Sequence, residues 1–168
     1  MRALALIPLL VVASCGEEST ETKGAAAALP SPGQWELTSQ VTRFVKADQG
    51  TPKINTPVGT RETQSVCVAP GRQLPSEIFS GANFTCGVST YYVRAGRANA
   101  TLNCHREGLT GDIPITVNGT FEAETMTLHR SLRTVLAGDG DVLIDADITG
   151  RRTGACTPVP ANEGQNRQ

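Results

Sequence analysis

Apolar and polar residues alternate along several stretches of this chain, which is the pattern of β-strands that bury one face. In the segment QWELTSQVTRFV, one parity carries Trp35, Leu37 and Val41, and the other carries mainly polar residues. Three later segments, IPITVNGTFEAE, MTLHRSLRTVL and VLIDADITG, show the same period. Their apolar sets are Ile113, Ile115, Val117 and Phe121; Met126, Leu128, Leu132 and Leu136; and Val142, Ile144, Ala146 and Ile148.

Residues typical of turns separate these strands, and their spacing predicts the fold class. The turns fall at Pro57, Ala95–Gly96, Gly108–Asp112, Glu122–Glu124 and Ala137–Asp141. Short connections between about seven strands predict an all-β fold, an antiparallel meander. Because the chain has only four Phe, two Tyr and one Trp, a strongly curved sheet or an incomplete barrel fits better than a two-sheet sandwich. One short helix is predicted at QLPSEIF.

An apolar run from Ala3 to Ala13 follows the single cation Arg2 at the start of the chain. The run is too short to cross a bilayer, which takes about 20 apolar residues, but it has the size of a secretory signal. The residues at its end, Val12-Ala13-Ser14-Cys15, resemble the bacterial lipobox. The alternative is an ordinary signal peptide with a chance cysteine.

The lipobox resemblance implies that Cys15 becomes the lipid-bearing N-terminus of the mature chain. One acyl chain holds a protein to a membrane only reversibly, whereas two or three make the attachment effectively permanent. Gly16 follows the cysteine, where lipoproteins kept at the inner membrane commonly have aspartate. The resemblance therefore implies a bacterial envelope protein that faces the periplasm, at the outer membrane, with the membrane as its partner through Cys15.

Composition divides the chain into four parts. Residues 1–14 are the predicted signal peptide, and 15–32 are a polar, alanine-rich tether that cannot bury enough apolar surface to fold alone. Residues 33–157 have the commonest size for a single β domain, and 158–168 form a polar tail that we expect to be disordered.

The overall charge and composition exclude some classes of partner. The formal net charge is -1 and 39% of residues are hydrophobic, as in an ordinary globular domain. The chain lacks the basic stripe with interleaved aromatic residues that nucleic-acid-binding proteins carry. We therefore expect no nucleic-acid partner, and no motif points to a cofactor.

Several short motifs together resemble a known family. The chain contains PGQW, CVAPG and a closing GRRTGAC, with Cys86 and Cys104 spaced between them. These resemble the DUF3617 family of small exported or lipid-anchored bacterial proteins, over the range from Pro32 to Cys156. The sequence departs from the family pattern at Ala69, where Thr or Ser is usual. The resemblance implies the architecture and the location but no activity.

Four cysteines remain after Cys15, and an even number in an oxidising compartment indicates disulfides, with three possible pairings. A tight turn at Ala95–Gly96 would place residues opposite each other when their numbers add up to about 190. Cys86 and Cys104 satisfy this condition, so we expect them to pair unless a bulge shifts the register. Cys67 then pairs with Cys156, tying the second strand to the last and closing the sheet.

Other candidate chemistry is weaker. No C-x-x-C pair exists, and His105 and His129 do not form a known metal-ligand pattern, so no metal site is expected. A Ser/His/Asp arrangement lacks the G-x-S-x-G signature that would distinguish it from chance. The pair Arg151–Arg152 could bind an anion, cap carbonyls or pair with acids. Closely spaced aspartates suggest calcium but lack the EF-hand loop, and they are Asp139, Asp141, Asp145 and Asp147.

Two functions of different class remain. The first is a non-catalytic envelope lipoprotein that binds a small apolar ligand or a protein partner, or supports the cell envelope. The alternative is a periplasmic hydrolase with an unrecognised site. A pocket lined by aliphatic side chains would favour binding. A histidine within hydrogen-bond distance of Ser or Asp in a cleft would favour catalysis.

Overall fold

The computed structural model describes residues 29–71, 73–138 and 140–156. The predicted signal peptide, most of the tether and the tail 158–168 lie outside the described residues. Within the described ranges the chain forms eight strands and one short helix. Their bounds in chain order are β1 Gly33–Lys46, β2 Arg61–Val68, α1 Glu77–Ser80, β3 Thr85–Arg94, β4 Arg97–His105, β5 Gly111–Phe121, β6 Thr125–Arg133, β7 Val135–Leu136 and β8 Val142–Gly154.

The strands form a sheet in the order β2-β1-β8-β6-β5-β4-β3, which curls strongly into a half-barrel. All pairings are antiparallel, and the two-residue strand β7 pairs with the start of β5. The predicted all-β fold with a strongly curved sheet is therefore confirmed. Strands β3 to β6 follow one another as a meander, whereas β1 lies between β2 and β8. The first and last strands of the domain are thus neighbours.

The concave face of the half-barrel carries the core, and strand parity decides which side chains face it. Trp35 and Leu37 of β1 are 0% and 1% exposed, as their alternation predicted. The predicted apolar sets of β5, β6 and β8 are buried on the same face, except for Leu136. Each such side chain contributes about 1.5–3 kcal/mol by leaving water, which makes this face the main source of stability.

The predicted strand over MTLHRSLRTVL is shorter than its pattern indicated. β6 ends at Arg133, and the buried Thr134 separates it from β7. The Thr134 N–H donates to the Val142 carbonyl at 3.0 Å, and its hydroxyl accepts from the Val142 N–H at 2.8 Å. Leu136 consequently lies in β7 and is half-buried, so the prediction that it shares the core face of β6 was wrong.

Helix α1 lies in the connection between the two edge strands, β2 and β3. Its residues Ile78 and Phe79 are fully buried in the core, so this connection crosses the concave face and covers part of it. The Phe79 ring meets Tyr91 of β3 edge to face, with ring centroids 6.2 Å apart. The helix overlaps the segment QLPSEIF in which it was predicted.

The first disulfide joins Cys86 of β3 to Cys104 of β4, the pair expected from the hairpin. Next to the turn, Arg94 pairs with Arg97, a register that would place Cys86 opposite His105. A bulge at Ser89 shifts the register by one residue and brings the two cysteines opposite each other, with Cα atoms 4.0 Å apart. The pairing therefore depends on an irregularity in the strand as well as on the turn.

The second disulfide joins Cys67 to Cys156, with Cα atoms 5.4 Å apart. Cys67 lies on edge strand β2, and Cys156 follows the end of β8. Both strands flank β1, where Gln34 pairs with Cys67 on one side and with Gly154 on the other. The bridge therefore crosses the start of β1 on one side of the half-barrel. The expectation that it closes the sheet was wrong, because the sheet ends at strands β2 and β3, and the bridge does not reach β3.

The end of β1 is fastened to the turn before β8 by Asp48. One carboxylate oxygen accepts the N–H groups of Gly140 and Asp141, both at 2.8 Å, and the other accepts the N–H of Gly50 at 2.8 Å. These hydrogen bonds favour the charged carboxylate and lower the pKa of Asp48 below its ordinary value of 3.8, and the bond from the Asp141 N–H has the largest effect.

We expect Asp48→Asn to destabilise the protein at neutral pH and to have a smaller effect in acid. The folded state has the lower pKa, so the contribution of the carboxylate is complete above the unfolded-state pKa of about 3.9 and disappears as pH falls through the folded-state pKa. Urea unfolding at pH 7 and near pH 2.5 tests this, with Glu107→Gln as the exposed control. A stability difference between wild type and variant that did not shrink in acid would contradict the role of this carboxylate.

Candidate functional site

Both histidines lie on the convex, solvent-facing side of the sheet. His129 Nδ1 is 2.9 Å from Asp147 Oδ1, and the two side chains are 46% and 59% exposed. His105 Nδ1 is 3.2 Å from the Gly111 carbonyl oxygen, and Asp112 lies 4.0 Å from its other ring nitrogen. Neither histidine lines any of the four cavities described below.

The aspartates that suggested calcium are occupied by other partners. Asp145 is 3.5 Å from the Arg43 guanidinium, and Asp141 accepts the Leu136 N–H at 2.9 Å. Asp139 lies outside the described residues. Over residues 29–71, 73–138 and 140–156, no group of three or more His, Cys, Asp and Glu side chains is placed to hold a metal ion.

Of the arginine pair at the end of β8, Arg152 serves the fold. Arg152 donates from Nε to the Pro32 carbonyl at 2.7 Å, and its Nη1 is 3.3 Å from a carboxylate oxygen of Glu124. Capping a carbonyl and pairing with an acid were two of the uses expected for this pair. Cys15, the predicted lipidation site, lies outside the described residues.

A groove opens on the concave face between β1, β2 and the connection that follows α1, residues 81–84. It consists of two adjoining cavities of about 260 and 60 Å³. Both are lined by Ser39, Glu62, Ala82, Asn83 and Arg130. The aliphatic part of the lining is Leu37 and Ile148 in the larger cavity and Val41, Ile54, Leu132 and Ile144 in the smaller one. The remaining lining residues are mostly polar, and they are Thr63, Gln64 and Gly81 in the larger cavity and Thr56, Thr60, Phe84 and Arg106 in the smaller one.

Arg130 of β6 is the buried charge of this groove, and it is only 7% exposed. It shares the inward parity of Leu128 and Leu132, and the sheet register places the small residue Ala146 opposite it on β8. Its Nη1 donates to the Ser80 carbonyl at 2.7 Å, and its Nη2 is 3.5 Å from the Ser39 hydroxyl. The Arg130 side chain therefore extends along the concave face from β6, and its guanidinium reaches Ser39 of β1 and Ser80 at the end of α1.

The charge of Arg130 lacks a close counter-ion. No carboxylate of the described residues lies within 4.0 Å of the guanidinium. Burial lowers the pKa of Arg130 below its ordinary value, and the more distant charge of Glu62 partly opposes this shift. An arginine in a protein stays protonated, so a positive charge sits where the two cavities adjoin.

One feature of the sequence indicates this site, although it was not among the predicted site residues. In MTLHRSLRTVL, Arg130 occupies the apolar parity, between Leu128 and Leu132. A charged residue at a core position is unusual and needs a partner or a function. Glu62 carried no such signal, because β2 is an edge strand and its polar residues resemble those of any exposed strand.

A family model matches residues 30–156 of this chain, and its description is "Protein of unknown function (DUF3617)". The chain belongs to the DUF3617 family. The match covers almost the same residues as the predicted β domain of 33–157, which confirms the resemblance seen in the PGQW and GRRTGAC motifs.

Neither the curated proteins nor the solved structures contain a match to this DUF3617 protein. A search of the residues that the structure describes found no helix with the length and hydropathy of a membrane span.

Proposed function

We propose that this DUF3617 protein is a non-catalytic lipoprotein of the bacterial envelope that binds a small, mainly apolar ligand in the groove beside β2. The observation that supports the proposal is the groove itself. Its floor includes Leu37 and Ile148, and its rim carries a few polar groups. Binding sites for small molecules typically combine an apolar lining with a small number of placed polar groups.

The architecture of the sheet explains why a groove exists at this place. A half-barrel leaves two edges, β2 and β3, and the single turn of α1 spans too little length to fill the space between them. The larger cavity holds about 260 Å³, slightly below the range of about 300–1,000 Å³ that is usual for drug-sized ligands. The proposed ligand is therefore small. Two larger hollows, of about 380 and 430 Å³, lie beside the same connection but lack a buried charge.

The predicted anchor would keep this groove close to a source of apolar molecules. The predicted tether would have an r.m.s. end-to-end distance of about 21 Å if only residues 15–29 were flexible, because Ser31 and Pro32 hydrogen-bond to the domain. A domain held to a membrane by Cys15 would thus remain within a few nanometres of the lipid surface. This proximity supports a role in holding or passing on small apolar compounds of the envelope.

We expect the purified domain to bind the neutral dye Nile red with an increase in fluorescence, and Ala82→Trp to weaken that binding at least tenfold. Ala82 is exposed and lines both cavities, so a larger side chain there fills the groove and leaves the core untouched. The matched control is Ala123→Trp, which adds the same ring in the exposed turn between β5 and β6.

Equal dye binding by the wild type and both variants would contradict binding in the groove. Absence of dye binding to the wild type would contradict the proposed apolar ligand. Circular dichroism of all three proteins shows whether the variants are folded.

The hydrolase alternative has one observation in its favour. His129 lies within hydrogen-bond distance of Asp147, an arrangement that orients the histidine in many catalytic sites. The pair is solvent-exposed, however, on the convex face, and lies outside the groove. Catalysis by such a pair needs a cleft that excludes water from the substrate, so binding is the better-supported function.

A further inference from the structure

The fold does not require a positive charge at position 130. Its hydrogen bond to the Ser80 carbonyl fastens the end of α1 to the sheet. Gln64 does the same at the start of α1 with a neutral amide, which donates to the Glu77 carbonyl at 2.7 Å. A neutral side chain is therefore sufficient to hold this helix, and the positive charge of Arg130 needs a separate explanation.

A buried charge without a counter-ion is costly, and proteins that keep one usually pair it with another group. Over the described ranges, the closest polar atoms of Arg130 are an uncharged carbonyl and a serine hydroxyl at 3.5 Å. The second hydrogen bond is long, so the Nη2 side of the guanidinium is weakly satisfied. Its fork of donors matches the two oxygens of a carboxylate or a phosphate.

The surroundings of the guanidinium leave room for such a group. Both cavities of the groove meet at Arg130. Nη1 is packed against Gly81, where a Cβ atom would lie only 2.7 Å away, so the space for a further group is on the cavity side of the guanidinium. A second cation, Arg106, lines the smaller cavity, so the groove carries two positive charges and the single negative charge of Glu62.

We infer that the ligand of the groove is an anionic amphiphile, whose carboxylate or phosphate head group pairs with Arg130 while its short apolar chain lies on Leu37 and Ile148. This inference rests on the proposed function and specifies the ligand class. Glu62 faces the same groove and disfavours an anion there, so it limits the affinity.

The experiment compares three probes with the same chain, namely decanol, decanoate and decyl phosphate. Each is titrated calorimetrically, decanol below its solubility limit and the two anions below their micelle concentrations. Charge-assisted hydrogen bonds contribute about 1.5–3 kcal/mol, so the wild type should bind the anions about 10 to 100 times more tightly than decanol. Decanoate and decyl phosphate distinguish a fatty-acid-like ligand from a phospholipid-like one.

Arg130→Gln is the decisive variant, because it removes the charge and keeps a polar, though shorter, side chain. We expect it to bind decanol like the wild type and to lose the preference for the anions. Glu62→Gln should have the opposite effect and tighten decanoate, since it removes a repelling charge from an exposed side chain.

Equal affinity of the wild type for decanol and both anions would overturn the inference while leaving an apolar groove intact. A preference for anions that persists in Arg130→Gln would also overturn it. If Ala82→Trp leaves the binding of all three probes unchanged, the groove is not the site and the proposed function fails as well. If Arg130→Gln does not fold, two other variants still test the inference. Arg106→Gln should weaken anion binding, and Glu62→Gln should tighten it.

Discussion

Replacing Cys67 and Cys156 together by alanine is expected to lower the free energy of unfolding by about 4.5 kcal/mol. The bridge closes a loop between residues 89 apart in sequence, so its loss restores much conformational freedom to the unfolded chain. Domains of this size are stable by only about 5–15 kcal/mol, so the variant should be close to unfolding at physiological temperature. Denaturant titration under oxidising conditions measures the change.

The other disulfide provides the matched comparison. Cys86 and Cys104 are 18 residues apart, and the same chain-entropy argument gives about 3 kcal/mol for their bridge. Alanine suits both pairs, because serine would place a hydroxyl at Cys104, which is fully buried in the core. A larger loss from the short bridge than from the long one would contradict this ranking. Peptide mapping without reduction that joined Cys67 to Cys86 would contradict both pairings.

The second large effect concerns location. We expect Cys15→Ala to remove the lipid-modified form, so that the protein leaves the detergent phase in a phase-partition assay or stays unprocessed. Each buried methylene contributes about 0.8 kcal/mol to membrane binding, and the acyl chains expected on Cys15 provide nearly all of it. Glu17→Ala, two residues further on, is the control and should partition like the wild type.

Intact mass distinguishes the two outcomes expected for Cys15→Ala. A released chain would lack both the signal peptide and the acyl groups, whereas an unprocessed chain would keep its N-terminal segment. An acylated mass with unchanged partition into detergent would refute lipidation at Cys15.

The fold class was accessible from the sequence because a one-sided sheet imposes a period of two on its side chains. Strands such as β5 and β8 bury every second residue over most of their length, and their alternation predicted this directly. The turn at Ala95–Gly96 was readable from Gly96, which adopts positive φ in the structure, whereas the positive φ of Ala95 has no signal in its residue type. These features are local, and local sequence determines them.

The strand order was not accessible in the same way. The pairing of β1 with β8 depends on backbone hydrogen bonds, which are alike for any sequence, and on shape matching between distant parts of the chain. The bulge at Ser89 is a further example, because nothing in that serine distinguishes it from a regular strand residue. Arg130 differs from both. Its place on the apolar parity of a strand is visible in the sequence, but only the structure shows that its charge faces a groove.

The placement of β1 between β2 and β8 has a consequence for how the domain acquires its structure. Gln34 pairs with Gly154, so the strand synthesised first gains one of its two neighbours only when the last strand is present. Folds dominated by such distant contacts form slowly, on a scale of about milliseconds to seconds. If the chain is exported as its N-terminal segment predicts, late folding would keep it extended and able to pass through a narrow export channel.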